Sequence, residues 1–324
     1  MTLPDGSSVS GVNVFACGGG NLTMANRPLL PSMLNSIRSI RCTSASRDMY
    51  TAAAVTDGSG KFALAAIAQA HSIYATHERG FSALTADKVH ASSTIVLQPW
   101  GRVEGIVMVG SKLGKGETVE ILQLSTTARP PALTVWFRTT SDNEGKFSFS
   151  TLPAGEYLVS NRTGPGRSGQ TASVIVRSGE TGSVKVGGAG RPLIGQIVLA
   201  GEEGSFPLKI RTSSLTLKPS DNPGQKPMDA AAYRDWVERE DVCAQTRAER
   251  SYSVLVEADG TFRVEDIPAG TYTLTVTVDP QTSEPRPTTP PQRFTREIAV
   301  PEMPGGRSDT PLDLGVLKFQ SSKK

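Results

Sequence analysis

The chain has 324 residues, of which 20% are charged and 37% hydrophobic, and its formal net charge is +3. So slight a balance gives no field strong enough to gather nucleic acid or acidic lipid, and no apolar run approaches the roughly 18 residues of a membrane-crossing helix. Divided by a prior of roughly 150 residues per domain, the length gives two or three units; 32 Gly and 22 Pro against 6% aromatic residues suit many short strands joined by turns.

From the N-terminus, Leu3-Pro4-Asp5-Gly6 reads as a turn, and Ser10 to Phe15 alternates like the strand after it. Later regions open with an extra strand at this place, such as Gly101 to Val107. We therefore expect the sequence to begin inside its first module, with the N-terminal strand missing and any export signal upstream. Met1 to Gly6 itself has neither the basic start nor the apolar stretch of a signal peptide. Asn26 to Ser46, with Pro28 and Pro31, reads as an irregular loop with a helical turn. Strands follow at Tyr50–Val55, Lys61–Ala66, Ile73–Ala75 and Thr94–Leu97, closing a first module over 1–98 that hands over through Gln98-Pro99-Trp100-Gly101.

A second module, 99–187, shows alternating runs at Val103–Val109, Glu117–Leu124, Leu133–Thr139, Lys146–Ser150, Tyr157–Asn161 and Ala172–Val176, the pattern of a half-buried antiparallel sandwich. Gly187-Gly188-Ala189-Gly190 then reads as a flexible junction; it runs into Pro192 and a strand, so it lacks the helix N-terminus a phosphate cradle needs. Gly18-Gly19-Gly20 carries no such cradle either. The third module, 188–319, holds an insertion over about 219–250. Within it Asp229 to Arg239 has helical character, with Asp229 as N-cap and Ala232, Tyr233, Trp236 and Val237 on one face. Strands return at Tyr252–Glu257, Thr261–Val264 and Tyr272–Val278, then a Pro-rich loop from Pro280 to Pro291, then Arg296–Val300 and Leu312–Phe319.

One phrase recurs through all of this. Asp57-Gly58-Ser59-Gly60-Lys61-Phe62, Asp142-Asn143-Glu144-Gly145-Lys146-Phe147 and Ala258-Asp259-Gly260-Thr261-Phe262 each run from a turn into a Phe-led strand, with Ile67, Leu152 or Ile267 five residues on. In the last two copies a Pro-Ala-Gly turn leads to Tyr157 or Tyr272. Repeats of this kind read as serial β-sandwich modules. Gly145 to Tyr157 and Gly260 to Tyr272 resemble the carboxypeptidase regulatory-like domain, and Leu97 to Gly105 looks like the junction between two such modules in large bacterial envelope proteins. The resemblance implies an all-β chain of three tandem Greek-key, transthyretin-like (carbohydrate-binding-like) sandwiches. It further implies an exported periplasmic or cell-envelope location, with protein domains or envelope components as partners.

No enzyme signature is present. His71, His77 and His90 have no metalloprotease spacing, there is no Gly-x-Ser-x-Gly elbow or Cys-x-x-Cys pair, and the metallocarboxypeptidase domain that precedes the module in its namesake family is absent. We expect no catalytic, cofactor or metal residues. The acids of the turns read as turn formers that bond their own backbone rather than as calcium ligands. Cys17, Cys42 and Cys243 are too scattered for a zinc site or disulfide scaffold, and read as free thiols unless export permits a Cys17–Cys42 bridge. Two functional readings follow: a structural or protein-interaction array, and a polysaccharide-binding module set. The second needs exposed aromatic platforms, for which Trp136, Trp236 and Tyr233 are the candidates, while Trp100 reads as a wedge between modules. Val135 and Phe137 share one face of their strand and Trp136 the other, and the pattern leaves open which face is core.

Overall fold

The computed structural model describes residues 1–17, 21–25, 39–43, 51–65, 72–124, 133–162, 169–200, 210–217, 250–278 and 292–320, with 227–229, 232, 235–236, 239–242 and 244 between them. The fold is all-β, built of short, mostly antiparallel strands.

The N-terminal region contains β1 (Asn13–Cys17), β2 (Asn21–Ala25), β3 (Ser39–Thr43), β4 (Thr51–Val55), β5 (Ser72–His77), β6 (Gly80–Thr85) and a short helix α1 (Ala86–Ser92). Strands β4-β1-β5-β6 form one antiparallel sheet over a core that includes Val12, Val14, Ile73, Ala75, Ile95 and Leu97. The sequence reading missed α1. It is too short for helical periodicity to register, buries no residue, and stops where Ser93 turns left-handed at φ 51°.

The middle region runs through β7 (Gly101–Val109), β8 (Lys112–Leu113), β9 (Thr118–Gln123), β10 (Leu133–Thr140), β11 (Lys146–Leu152), β12 (Gly155–Arg162), β13 (Thr171–Val176) and β14 (Thr181–Val186). One sheet is ordered β11-β7-β14, and the facing one carries β13-β12-β9-β10. Along β7, Val103 and Val107 are fully buried while Arg102 and Glu104 are exposed, the two-residue alternation of a strand with one wet face.

The C-terminal region repeats this plan with β15 (Arg191–Ala200), β16 (Ile210–Leu217), β17 (Ser251–Ser253), β18 (Thr261–Ile267), β19 (Gly270–Val278), β20 (Gln292–Val300) and β21 (Leu312–Gln320). Its sheets are ordered β18-β15-β21 and β17-β16-β19-β20. β15 stands for β7, β18 for β11 and β21 for β14, and the parallel pairing of β7 with β14 recurs between β15 and β21. β16, β17, β19 and β20 likewise take the places of β9, β10, β12 and β13. In the N-terminal region β4-β1-β5-β6 corresponds to β10-β9-β12-β13, and the second sheet is represented by isolated bridges such as the parallel Thr2 with Val96.

The recurring phrase has one physical meaning in all three places. Gly60, Gly145 and Gly260 sit at φ 76°, 72° and 83°, and a Cβ on each would stand 2.6, 2.8 and 2.4 Å from the carbonyl oxygens of Met1, Val107 and Ile197. Glycine is therefore required twice over, by conformation and by space. Each glycine carbonyl accepts a 2.8 Å hydrogen bond from the same three residues, through the Val107 and Ile197 amides and the Met1 ammonium. Behind the turn, Phe147 lies opposite Gly105 and Phe262 opposite Gly195, so each ring covers a strand glycine that has no side chain of its own. Phe62 is only half-buried, and residues 61–65 form no strand. The two Pro-Ala-Gly turns end alike, with the buried Tyr157 hydroxyl donating to Pro153 O at 2.8 Å and Tyr272 to Pro268 O at 3.0 Å.

Both departures from the shared plan leave from one loop position, between β1 and β4 and between β16 and β17. The first contains β2 and β3, paired antiparallel; β3 falls within the Asn26 to Ser46 stretch that the sequence suggested was a loop with a helical turn, and β2 precedes it. β2 pairs in parallel with β10, so β2–β3 extends the middle region's sheet to six strands in the order β13-β12-β9-β10-β2-β3. An edge strand left bare would be a template for aggregation, and β2 covers it. Cys17, Met24, Tyr74 and Phe81 of the N-terminal region join the middle core.

Candidate functional site

The outer face of the six-stranded sheet holds the first candidate. Val135 and Phe137 point into the core, 0% and 6% exposed, which turns Trp136 to the opposite face, where it is half-buried. The register sets Trp136 beside Leu122 and Leu122 beside Leu158 across β10, β9 and β12. Leu122 is 43% exposed. Two residues along the strands, the next cross-strand row is polar. Arg138 lies opposite Glu120 and Glu120 opposite Ser160; the guanidinium donates Nε to Glu120 Oε1 at 2.8 Å and pairs with it again through Nη2. An indole at the end of a leucine row, with a fixed charged pair one row away, offers a flat apolar contact and oriented hydrogen-bonding groups together.

Trp236, half-buried, lies with Asp235 in the helical part of the insertion, where Asp229 Oδ1 accepts the Ala232 amide at 2.8 Å as the N-cap reading requires. Tyr233 lies outside the described residues, as do His71, Cys243 and most of the insertion. Trp100 stacks on Phe81 with ring centroids 5.5 Å apart and donates its indole N–H to His77 O at 2.8 Å, so it binds the N-terminal region to the middle one.

The acidic turns are occupied by their own backbone. Asp57 Oδ1 accepts the Ser59 and Lys61 amides and the Ser59 hydroxyl at 2.8 to 2.9 Å, and Asp142 Oδ1 accepts the Glu144 and Lys146 amides. In the third copy Glu257 takes the position of Asp57 in the backbone turn, and the side-chain bonds pass to Asp259. Among the described residues, no group of three His, Cys, Asp or Glu could hold a metal ion. Cys17 is 2% exposed and disulfide-bonded.

The junction between the middle and C-terminal regions contains a residue that sequence reasoning passed over. Asp266 occurs where the pairing of β15 with β18 slips register, a bulge that carries it to φ 58° and leaves it 4% exposed. Its carboxylate takes the Gly110 amide on both oxygens at 2.9 Å and the Gly188 amide on Oδ2 at 3.3 Å. Burial pushes this carboxyl above its ordinary value, opposed by those two amides. The glycines around it are fitted rather than free: a Cβ on Gly187 would stand 2.1 Å from Met108 O, and one on Gly190 2.3 Å from Ile267 C. The segment read as a flexible junction is close-packed, and its glycines serve close approach of two backbones. Beside it Gln170 meets Tyr252, whose ring lies against that of Tyr272. Burial pushes the Tyr252 phenol up to about 12, and the Gln170 amide offsets part of that, although Tyr252 OH and Gln170 Nε2 make no hydrogen bond of good geometry. The only sequence signal for Asp266 is an acid in a position where the second copy has Thr151.

No family model matches the chain, and no curated protein matches it. Among solved structures it is similar to the minor pilin GBS52 of Streptococcus agalactiae, at 11% identity and TM-score 0.27 over 69% of this chain and 97% of that one. It is also similar to a candidate carbohydrate-binding protein of Pseudomonas aeruginosa, at 17% identity and TM-score 0.20 over 31% of this chain and 94% of that one. A third is the shaft pilin SpaA of Lactobacillus rhamnosus, at 12% identity and TM-score 0.21 over 69% of this chain and 99% of that one. Likeness at this level says nothing of ligand or partner.

Proposed function

We propose that the chain is a non-enzymatic scaffold, a series of three sandwich modules over 1–98, 99–187 and 188–319 that acts as spacer and protein-interaction array in an exported protein. The observation that carries this reading is the pair of dissimilar joints between similar units. Trp100 on Phe81, with β2 paired to β10, ties the first to the second; Asp266 with the packed glycines ties the second to the third. Fixed joints between repeated units set distance and direction, which is what a spacer requires. The Cys17 disulfide supports export, because such bonds persist in oxidising compartments. The two Pro-Ala-Gly-to-Tyr turns, alike in sequence and hydrogen bonding, support the resemblance to regulatory-like domains. Small-angle scattering tests the array: a radius of gyration well above the roughly 20 Å of one compact globule of this length is expected, and a value at 20 Å would refute the serial arrangement.

The Trp136 row favours a second reading, polysaccharide binding on the outer face of the six-stranded sheet. Fluorescence titration of the full chain with plant and bacterial polysaccharides decides it. A saturable indole shift that Trp136→Ala abolishes supports binding at this face; no shift with any polysaccharide leaves the scaffold alone.

A further inference from the structure

We propose that Asp266 is a protonation-sensitive latch that fixes the second sandwich against the third. Three observations converge on it. Its carboxylate crosses the joint, binding the Gly110 amide of the β7–β8 turn and the Gly188 amide of the connecting segment. Its backbone is held at φ 58°, a left-handed conformation that Asp and Asn enter more readily than other side-chain-bearing residues. The surrounding packing admits no slack, with Gly187, Gly188 and Gly190 pressed on Met108 and Ile267. In the second copy the equivalent residue is Thr151, which has no positive φ, so the latch belongs to this joint rather than to the module plan.

Among the described residues, the charges around the carboxyl are few. On its own strand Glu265 opposes ionisation, and from the turn after β20 Arg307 favours it. From β14, Lys185 lies close by, its Cε 3.3 Å from where a Cβ on Gly188 would stand. Tyr252, across the joint's polar cluster, feels the Asp266 charge. Two amides hold the ionised form, yet burial outweighs them and the carboxyl titrates above its ordinary value of 3.8. The sign follows from linkage: a joint that opens returns Asp266 to water and to the ordinary value, so the closed joint binds the proton more tightly. Acidification through the window above 3.8 therefore favours the closed joint.

This inference builds on the scaffold reading only in making the joint's stiffness matter, and its readouts are local to the joint, so its failure leaves that reading standing. In the full chain, the Gly110 and Gly188 amide resonances are followed against pH by NMR. They are expected to move together with one midpoint above 3.8. Separate midpoints, or a common one at or below 3.8, overturn the proposal. Asp266→Asn keeps the left-handed backbone and one acceptor and should abolish the shared titration; its persistence in that variant also overturns the latch. In Asp266→Ala, hydrogen exchange at Gly110 should quicken roughly 10- to 100-fold, the factor one hydrogen bond to a charged group sustains, and unchanged exchange in a folded variant counts against it. The wild-type titration needs no variant, so the proposal can fail even where a substitution prevents folding.

Discussion

Gly105 and Gly195 hold equivalent strand positions, yet adding one methyl to each should have unequal consequences. A Cβ at Gly105 would lie 2.4 Å from Phe147 Cζ and 2.4 Å from Val184 O, whereas at Gly195 the contacts are 3.0 Å to the Phe262 ring and 3.3 Å to Gly315 O. Relief to an ordinary 3.4 Å contact demands about 1 Å of movement at Gly105, some of it from the backbone of β14, but only a few tenths at Gly195. Overpacking of the first kind costs about 1–3 kcal/mol, against a gain of about 0.4–1 kcal/mol from the stiffer unfolded chain. Gly105→Ala should therefore destabilise the second sandwich by about 1–2 kcal/mol, and Gly195→Ala should leave the third within about 0.5 kcal/mol of wild type. Urea unfolding of the full chain, followed by tryptophan fluorescence and far-ultraviolet circular dichroism, measures both. Equal losses, or a larger loss at Gly195, would refute the argument that the Phe-over-Gly fit is tighter in the second copy.

The paired tyrosines make a second test. Tyr157→Phe and Tyr272→Phe each strip a proline carbonyl of its donor and should cost about 1 kcal/mol, more at Tyr157, whose bond is shorter and fully buried; a free substitution at Tyr157 would show that the bond adds nothing to the turn. Asp57 should respond to pH in the sense opposite to Asp266. The Lys61 amide, then the Ser59 hydroxyl and amide, hold the Asp57 carboxyl below its ordinary 3.8, so its contribution is present above that value and lost as pH falls through the lowered one. Asp57→Ala should accordingly melt below wild type at neutral pH, with the gap closing under acid, and a pH-independent gap would contradict the assignment.

Much of this protein follows from local chemistry that a sequence carries openly. The Asp-to-Gly turns, the Phe two residues beyond the turn glycine and the Pro-Ala-Gly-to-Tyr endings are each decided within a few residues, by an αL position, a side-chain cap or a hydroxyl reaching back four residues. Alternation along β7, β11 and β19 marks the buried face without help from partners. The sequence left Trp136 undecided, because Val135 and Phe137 suit a core as well as the indole does; only the facing sheet chose. What tertiary structure alone decided are the contacts between distant segments. β2, five residues between Gly18-Gly19-Gly20 and Asn26, drew no strand reading from the sequence, and its strand identity comes from the bare edge of β10. Asp266 looked like one of many strand acids until the bulge turned it inward, where the Gly110 amide arrives from the neighbouring sandwich and the Gly188 amide from the connecting segment. The glycines at 187–190 have the composition of a loose linker, and only two backbones meeting at that point make them the tightest part of the joint.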